Sequence, residues 1–208
     1  MQKTYLDYPE ISELKANIIS RKVSGDRTQV ILDRTIFAPK SSYLLEDKGY
    51  ISDLPIINIE EKRDNIIHTI LGKPQRSEVI LKLDMGIRTR NLAYNTAYVL
   101  FAIFFEAFYT FKDIKLDLGF DHAKLLITGF NSYFSKDIIE EQINFAIEKS
   151  LKIANIQGIS SIKPLGEVIN NEIAYDNAGK LRGFKITNVS QNQDNLVIDF
   201  LAGADTII

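Results

Sequence analysis

Few side chains in this 208-residue chain can do chemistry, and they can be named at once. There is no cysteine, and there are two histidines, His68 and His122. Disulfides, thiolate metal sites and a cysteine nucleophile are therefore excluded. Neither histidine has a His, Asp or Glu at i+4, where Gly72 and Leu126 stand, so neither starts a helical metal pair. His68 lies inside the run IIHTI, where a hydrogen-bonded structural histidine is expected, and His122 follows Asp121 at an expected hairpin tip. The remaining oddity is RNLAYNTAYVLF (residues 90–101), which opens the longest apolar run yet sets Asn95 beside Thr96. An amide there could orient a water or a carbonyl, and the hydroxyl could add a hydrogen bond; equally, both could be bonded to neighbouring backbone. Arg88, Arg90, Lys180, Arg182 and Lys185 are candidates for phosphate contact, and each is equally readable as a solvated surface charge.

Composition sets the bounds around these residues. A hydrophobic share of 45% and a charged share of 25% describe an ordinary globular chain, long enough for one large domain or two modest ones. The net charge of −2 and pI near 5.8 give no global basic field, and no DNA partner is expected. The start, MQKTYLDYPE, has no apolar core and no small-residue cleavage site, so the expectation is a cytoplasmic protein without a secretory signal.

The elements that must position these side chains change character along the chain. Strands are predicted over residues 16–23 and 29–33 around Ser24-Gly25-Asp26, then 54–60 and 65–71, then 77–83 after Gly72-Lys73-Pro74. Short strands at this spacing predict a barrel-like or sandwich module ending near Asp84. A helix over 88–109 follows, with aromatics at Tyr94, Tyr98, Phe101, Phe105 and Phe108 marking one buried face. Asn95, Thr96 and Glu106 interrupt its apolar run, so it is read as a core helix and no membrane span. Strands over 115–120 and 124–130, a helix over 136–154 capped by Ser135, a shorter helix over 165–174, and strands over 184–189 and 196–201 complete an α+β chain.

Two segments carry a resemblance. LDRTIFAPKSSYLLEDKGYI (residues 32–51) and LDMGIRTRNLAYNTAYVL (residues 83–100) resemble, in order and spacing, the editing domain of alanyl-tRNA synthetase and its freestanding AlaX relatives. The family's first segment reads L-D-x-T-x-F-Y-P-E-G-G-G-Q-P-x-D-x-G; here Leu32, Asp33, Thr35, Phe37, Pro39, Asp47 and Gly49 keep the frame. Ser41-Ser42-Tyr43-Leu44 replaces its glycine-rich centre, and Tyr43 puts bulk where the family has bare backbone. The second family segment is an arginine-rich approach followed by H-T-A-x-H-L-L; here Arg88 and Arg90 precede Asn95-Thr96-Ala97-Tyr98-Val99-Leu100-Phe101. Matching residues 177–186 to the family's C-terminal motif sets its preceding Cys and His positions at Asn170 and Ala174.

The resemblance implies an N-terminal small β-barrel-like domain (residues 1–84) and a C-terminal α+β editing-type domain (residues 85–208), the second additional domain also carried by threonyl-tRNA synthetase. The length suits the medium-sized freestanding form. It also implies an aminoacyl-tRNA ester hydrolase with one zinc, whose four ligand positions here are Asn95, Val99, Asn170 and Ala174. Valine and alanine offer no lone pair and neutral amides are poor zinc ligands, so no zinc or other cofactor is expected. Thr35 matches the threonine that recognises the misattached amino acid's hydroxyl, and Arg88, Arg90 and Lys185 join it as candidate substrate-binding residues. Asn95 and Thr96 are the candidate pocket residues. Three expectations compete: a metal-independent deacylase acting on mischarged tRNA in trans, a pseudoenzyme that keeps tRNA or partner binding, and an interaction module that forms a homodimer through apolar surfaces.

Overall fold

Alternating burial builds the first half of the chain. The computed structural model describes residues 1–206, and the chain divides into two compact units, Met1–Thr89 and Arg90–Ile208. The first unit opens with β1 (Gln2–Lys3), the single helical turn α1 (Thr4–Asp7), β2 (Glu13–Ser24), β3 (Arg27–Leu32) and β4 (Arg34–Thr35). It continues with β5 (Gly49–Ile51), β6 (Leu54–Lys62), β7 (Asn65–Leu71) and β8 (Glu78–Leu83). Six strands pair in the order β2-β3-β7-β6-β5-β8, and β8 pairs back onto β2, closing the ring. Val30, Leu32, Ile66, Ile70, Val79 and Leu81 are buried at every second position of their strands. Ser52-Asp53 and Arg63-Asp64 join their strands as two-residue turns, all four residues left-handed, with φ between 48° and 66°. β5 has no counterpart among the predicted strands, because three residues are too few to show alternation.

Helix α2 (Met85–Phe108) starts where Asp84 Oδ1 accepts from the Gly86 amide at 2.9 Å. No helix of the described residues is long and apolar enough to cross a membrane. In the second unit follow β9 (Asp113–Leu118), β10 (Ala123–Thr128), α3 (Lys136–Glu148), β11 (Ala154–Ile156), β12 (Ile159–Ile162), β13 (Gly166–Ile169), β14 (Phe184–Asn192) and β15 (Asn195–Ala202). An antiparallel sheet runs β14-β15-β10-β9, and β11-β12-β13 form a second, three-stranded sheet. The aromatic face of α2 meets the larger sheet's side of the core: Tyr94 lies 5.4 Å from Phe200, and Phe105 5.4 Å from Phe130, ring centre to ring centre. The architecture is α+β with antiparallel sheets.

Two expected elements are corrected. The helix over 165–174 does not form; β13 occupies its start, with Ile169 paired to Ile159 and Val168 to Ser160, and an irregular segment follows. Pairing with β12 outweighs a helical preference that is weak in a stretch carrying Gly166, Val168 and Ile169. Helix α3 ends at Glu148 rather than 154, because Ser150 turns left-handed (φ 51°) and the Leu151 amide reaches back to the Ala146 carbonyl at 3.0 Å. Ser135 stands at its N-cap position but its side chain makes no capping hydrogen bond.

Candidate functional site

Within the second unit, Asn95 lies fully buried on α2 and faces the irregular segment after β13. Its Nδ2 donates to the Ile173 carbonyl at 2.6 Å and to Asn170 Oδ1 at 3.2 Å. Asn170 Oδ1 also accepts from the Glu172 amide, while its Nδ2 donates to Ser160 Oγ at 3.0 Å. Ser160 Oγ in turn donates to Asn155 Oδ1 at 2.6 Å, and Asn155 Nδ2 reaches the Ala174 and Tyr175 carbonyls. One helical position along, Thr96 Oγ1 accepts from the Tyr175 amide at 2.8 Å. The result is a chain of neutral amides and hydroxyls that ties β11, β12 and the 170–175 segment to α2. Each such bond contributes about 1 kcal/mol net. The orientation of the Asn95 amide follows from its neighbour, since an oxygen facing the Ile173 carbonyl would repel it. Asn95 Oδ1 is left buried with no hydrogen-bond partner. Val99 and Ala174 are buried hydrocarbon. Among the described residues no group of three or more His, Asp or Glu side chains could hold a metal ion. Nothing in this network titrates near neutrality, so what it offers a ligand is orientation rather than proton transfer.

Arg90 heads a second cluster in the same unit. Its guanidinium lies 4.4 Å from the centre of the Tyr94 ring and pairs with Asp205, which also accepts from Tyr94 Oη at 2.7 Å. Burial, then the Asp205 bond, raises the Tyr94 pKa to about 12. These residues share a cavity of about 530 Å3 with Phe120, His122 and Asp199. His122 is half-exposed, and its bond to Asp121 at 2.9 Å raises its pKa, with help from Asp117. Arg90 is therefore held by an internal carboxylate. Of the other basic candidates, Lys180 pairs with Asp176 at 2.8 Å, and Arg182 and Lys185 are exposed. Asp205 gives no local signal in the sequence, being 115 residues from the arginine it meets.

In the first unit the frame residues hold the fold. Arg88 is fully buried and donates to Asp47, to the Pro9 carbonyl and to the Ile36 carbonyl, the last two at 2.6 Å. It is thus no surface phosphate contact, which corrects the sequence expectation: an arginine taken out of water must spend its donors inside. Burial pushes the Asp47 carboxyl up, while Arg88 and the Ala38 amide, 2.7 Å away, favour its charged form. Thr35 is also fully buried; its Oγ1 meets His68 Nε2 at 2.9 Å and accepts from the Phe37 amide at 3.1 Å. Both of its bonds are internal, so the hydroxyl is not presented to a substrate. Burial lowers the His68 pKa to about 4, so the ring is neutral, and the backbone of Val30, its cross-strand partner, opposes that shift weakly. Gly49 (φ 155°) has no room for a side chain, since a Cβ would sit 2.1 Å from the Lys82 carbonyl oxygen. The replacement for the glycine-rich centre is a hydroxyl-capped turn, in which Ser41 Oγ accepts from the Tyr43 and Leu44 amides at 3.1 Å each.

The geometry so far defines an α+β chain with a long buried helix whose polar centre is anchored to a distant segment. Its similarities are more specific. No family model matches the chain. It is 25% identical over 163 residues to the alanyl-tRNA editing protein AlaX-L of Pyrococcus horikoshii, covering 74% of this chain and 40% of that protein. It is also 21% identical over 184 residues to each of the alanyl-tRNA editing proteins Aarsd1-B and Aarsd1-A of Xenopus laevis, covering 87% of this chain and 44% of theirs. The chain is a divergent relative of the alanyl-tRNA editing proteins. It spans less than half the length of the curated relatives it matches.

Proposed function

We propose that this chain is a cytoplasmic, metal-free member of the alanyl-tRNA editing lineage that binds tRNA and does not carry the hydrolysis itself. In this reading the closed ring is the family's small barrel and the second unit its editing-type domain. The names of the relatives supply the substrate class, aminoacyl-tRNA. The observation that carries the reading is the bonding of Asn95 and Thr96: the Asn95 nitrogen is committed to Asn170 and Ile173, and Thr96 to Tyr175. The family's zinc does not fit this donor set, because Asn95 and Asn170 are bonded to each other and Val99 and Ala174 have no lone pair. Without the metal no residue of this network can generate a hydroxide at neutral pH, so no hydrolytic step is derived. What the network supports is a rigid backing, held by the bonds described above, for the surface that orients an acylated tRNA end.

Incubation of the protein with several mischarged tRNAs, with and without chelator, tests this reading. The expected result is deacylation no faster than in buffer, together with measurable tRNA affinity. Stoichiometric zinc in the purified protein, or turnover abolished by chelator, overturns the metal-free assignment. Turnover unaffected by chelator favours a second reading, a metal-independent hydrolase. The unpartnered Asn95 Oδ1 supports that one, as a buried acceptor whose hydrogen-bonding capacity the fold leaves unused.

A further inference from the structure

The arginines in the first turns of the Asn95 helix are already engaged, Arg88 by Asp47 and Arg90 by Asp205. Unpaired cations gather instead on the outer face of the first unit's ring. There the register sets Lys22 opposite Gln29, Gln29 opposite Thr69 and Thr69 opposite Asn58, a polar row across β2, β3, β7 and β6. Arg27 sits on the same face, opposite Ser24. A bulge between Ile56 and Asn58 breaks the alternation of β6, so that Ile57 and Asn58 both point outward. Together these residues line a groove of about 570 Å3.

The composition of the groove selects its ligand. No carboxylate lines it, and among the described residues neither the Lys22 nor the Arg27 side chain has an ion-pair or hydrogen-bond partner. Every lining side chain except Ile57 can donate a hydrogen bond. Cations set among amides and hydroxyls are the groups that contact nucleic-acid phosphates. At strand spacing the row is roughly 14 Å long, wide enough to track a backbone rather than enclose one small anion. In a chain of net charge −2 it is a local positive spot that would steer a polyanion to this face.

We propose that this groove binds the phosphodiester backbone of RNA; the choice of RNA rests on the editing-lineage reading above. The test uses the full chain carrying Lys22→Glu and Arg27→Glu, with the milder Lys22→Gln and Arg27→Gln pair as a guard against misfolding. Fluorescence anisotropy follows deacylated tRNA and an unstructured RNA oligonucleotide at about 50 and about 200 mM salt. The reversal pair is expected to lower affinity at least about tenfold and to flatten the log–log salt slope by about 1.4 to 1.8, the value for two lost phosphate contacts. The same charge change at exposed Lys15 and Lys163 should leave affinity within about threefold, as a merely global charge effect would not. If wild type binds tRNA and the groove variants bind it equally, or the Lys15 and Lys163 control falls as far, the groove is overturned and the editing reading stands. If wild type ignores tRNA but binds the oligonucleotide through Lys22 and Arg27, the groove stands and the editing reading falls. Binding of neither RNA overturns both. Binding of inorganic phosphate in the groove, with RNA affinity independent of Lys22 and Arg27, makes it a small-anion site and overturns the proposal.

Discussion

Replacing His68 by glutamine and changing the pH probes the first unit from inside its wall. His68 is fully buried in β7, bonded to Thr35, and its pKa falls from 6.5 to about 4 because burial penalises the charged ring. A histidine with a folded pKa below its unfolded value binds fewer protons when folded. Its contribution is therefore complete above the unfolded pKa and is lost as pH falls toward the folded one. The window runs from 6.5 down to about 4. At about 1.4 kcal/mol per unit, a step from about pH 7.5 to about pH 5 removes about 2 kcal/mol of stability. Urea denaturation of wild type and His68→Gln at both pH values measures this as a difference of differences. Glutamine keeps an amide in reach of Thr35 and does not titrate. The carboxylates, and half-exposed His122 with its raised pKa, are common to both proteins and cancel. Wild type should lose about 2 kcal/mol more than the variant across the step. Equal losses, or a wild type that loses less, would refute a neutral, buried His68.

Arg88→Met leaves Asp47 as an uncompensated buried charge and should cost about 3 to 5 kcal/mol in denaturant melts, much of it recovered when Asp47→Leu is added. Gly49→Ala drives a Cβ against the Lys82 carbonyl and should cost more than about 3 kcal/mol or prevent soluble expression. Asn170→Ala removes the centre of the amide chain and should cost about 1 to 3 kcal/mol, by the same amount with and without chelator. The melting temperature of the wild type itself should not move on adding chelator, because amide bonds need no ion.

Elements whose two faces differ in polarity can be read from sequence: the strand at Asn65–Leu71 and the helix carrying Asn95 are predicted within a few residues of where they form. β13 is misread because its state is decided by pairing with β12, a tertiary fact with no local trace. Motif order brings Asn170 to the same site as Asn95, and the two amides meet at 3.2 Å; composition and periodicity alone would not connect positions 75 residues apart. Arg88 is misplaced for a similar reason. Its charge is visible in the sequence, but whether that charge faces water depends on Asp47, 41 residues earlier. Lys22 and Arg27 carry no motif, and only the register across four strands assembles them into a groove.

The pairing of β2 with β8 has a kinetic side. It joins Glu13 to Lys82, nearly the two ends of the first unit, whereas β2–β3, β5–β6 and β6–β7 are hairpins between neighbours in the chain. The loop entropy of bringing those ends together is spent before the contact returns anything, so ring closure follows the local hairpins in folding. The hairpins at Ser52-Asp53 and Arg63-Asp64 add little drive of their own, since left-handed non-glycine turns are costly until the strands hold them. Until closure, β2 and β8 are both open edges. A nascent chain whose synthesis stalls before β8 would leave the Glu13–Asn17 edge of β2 open as a template for aggregation, although the rest of the strand is paired to β3.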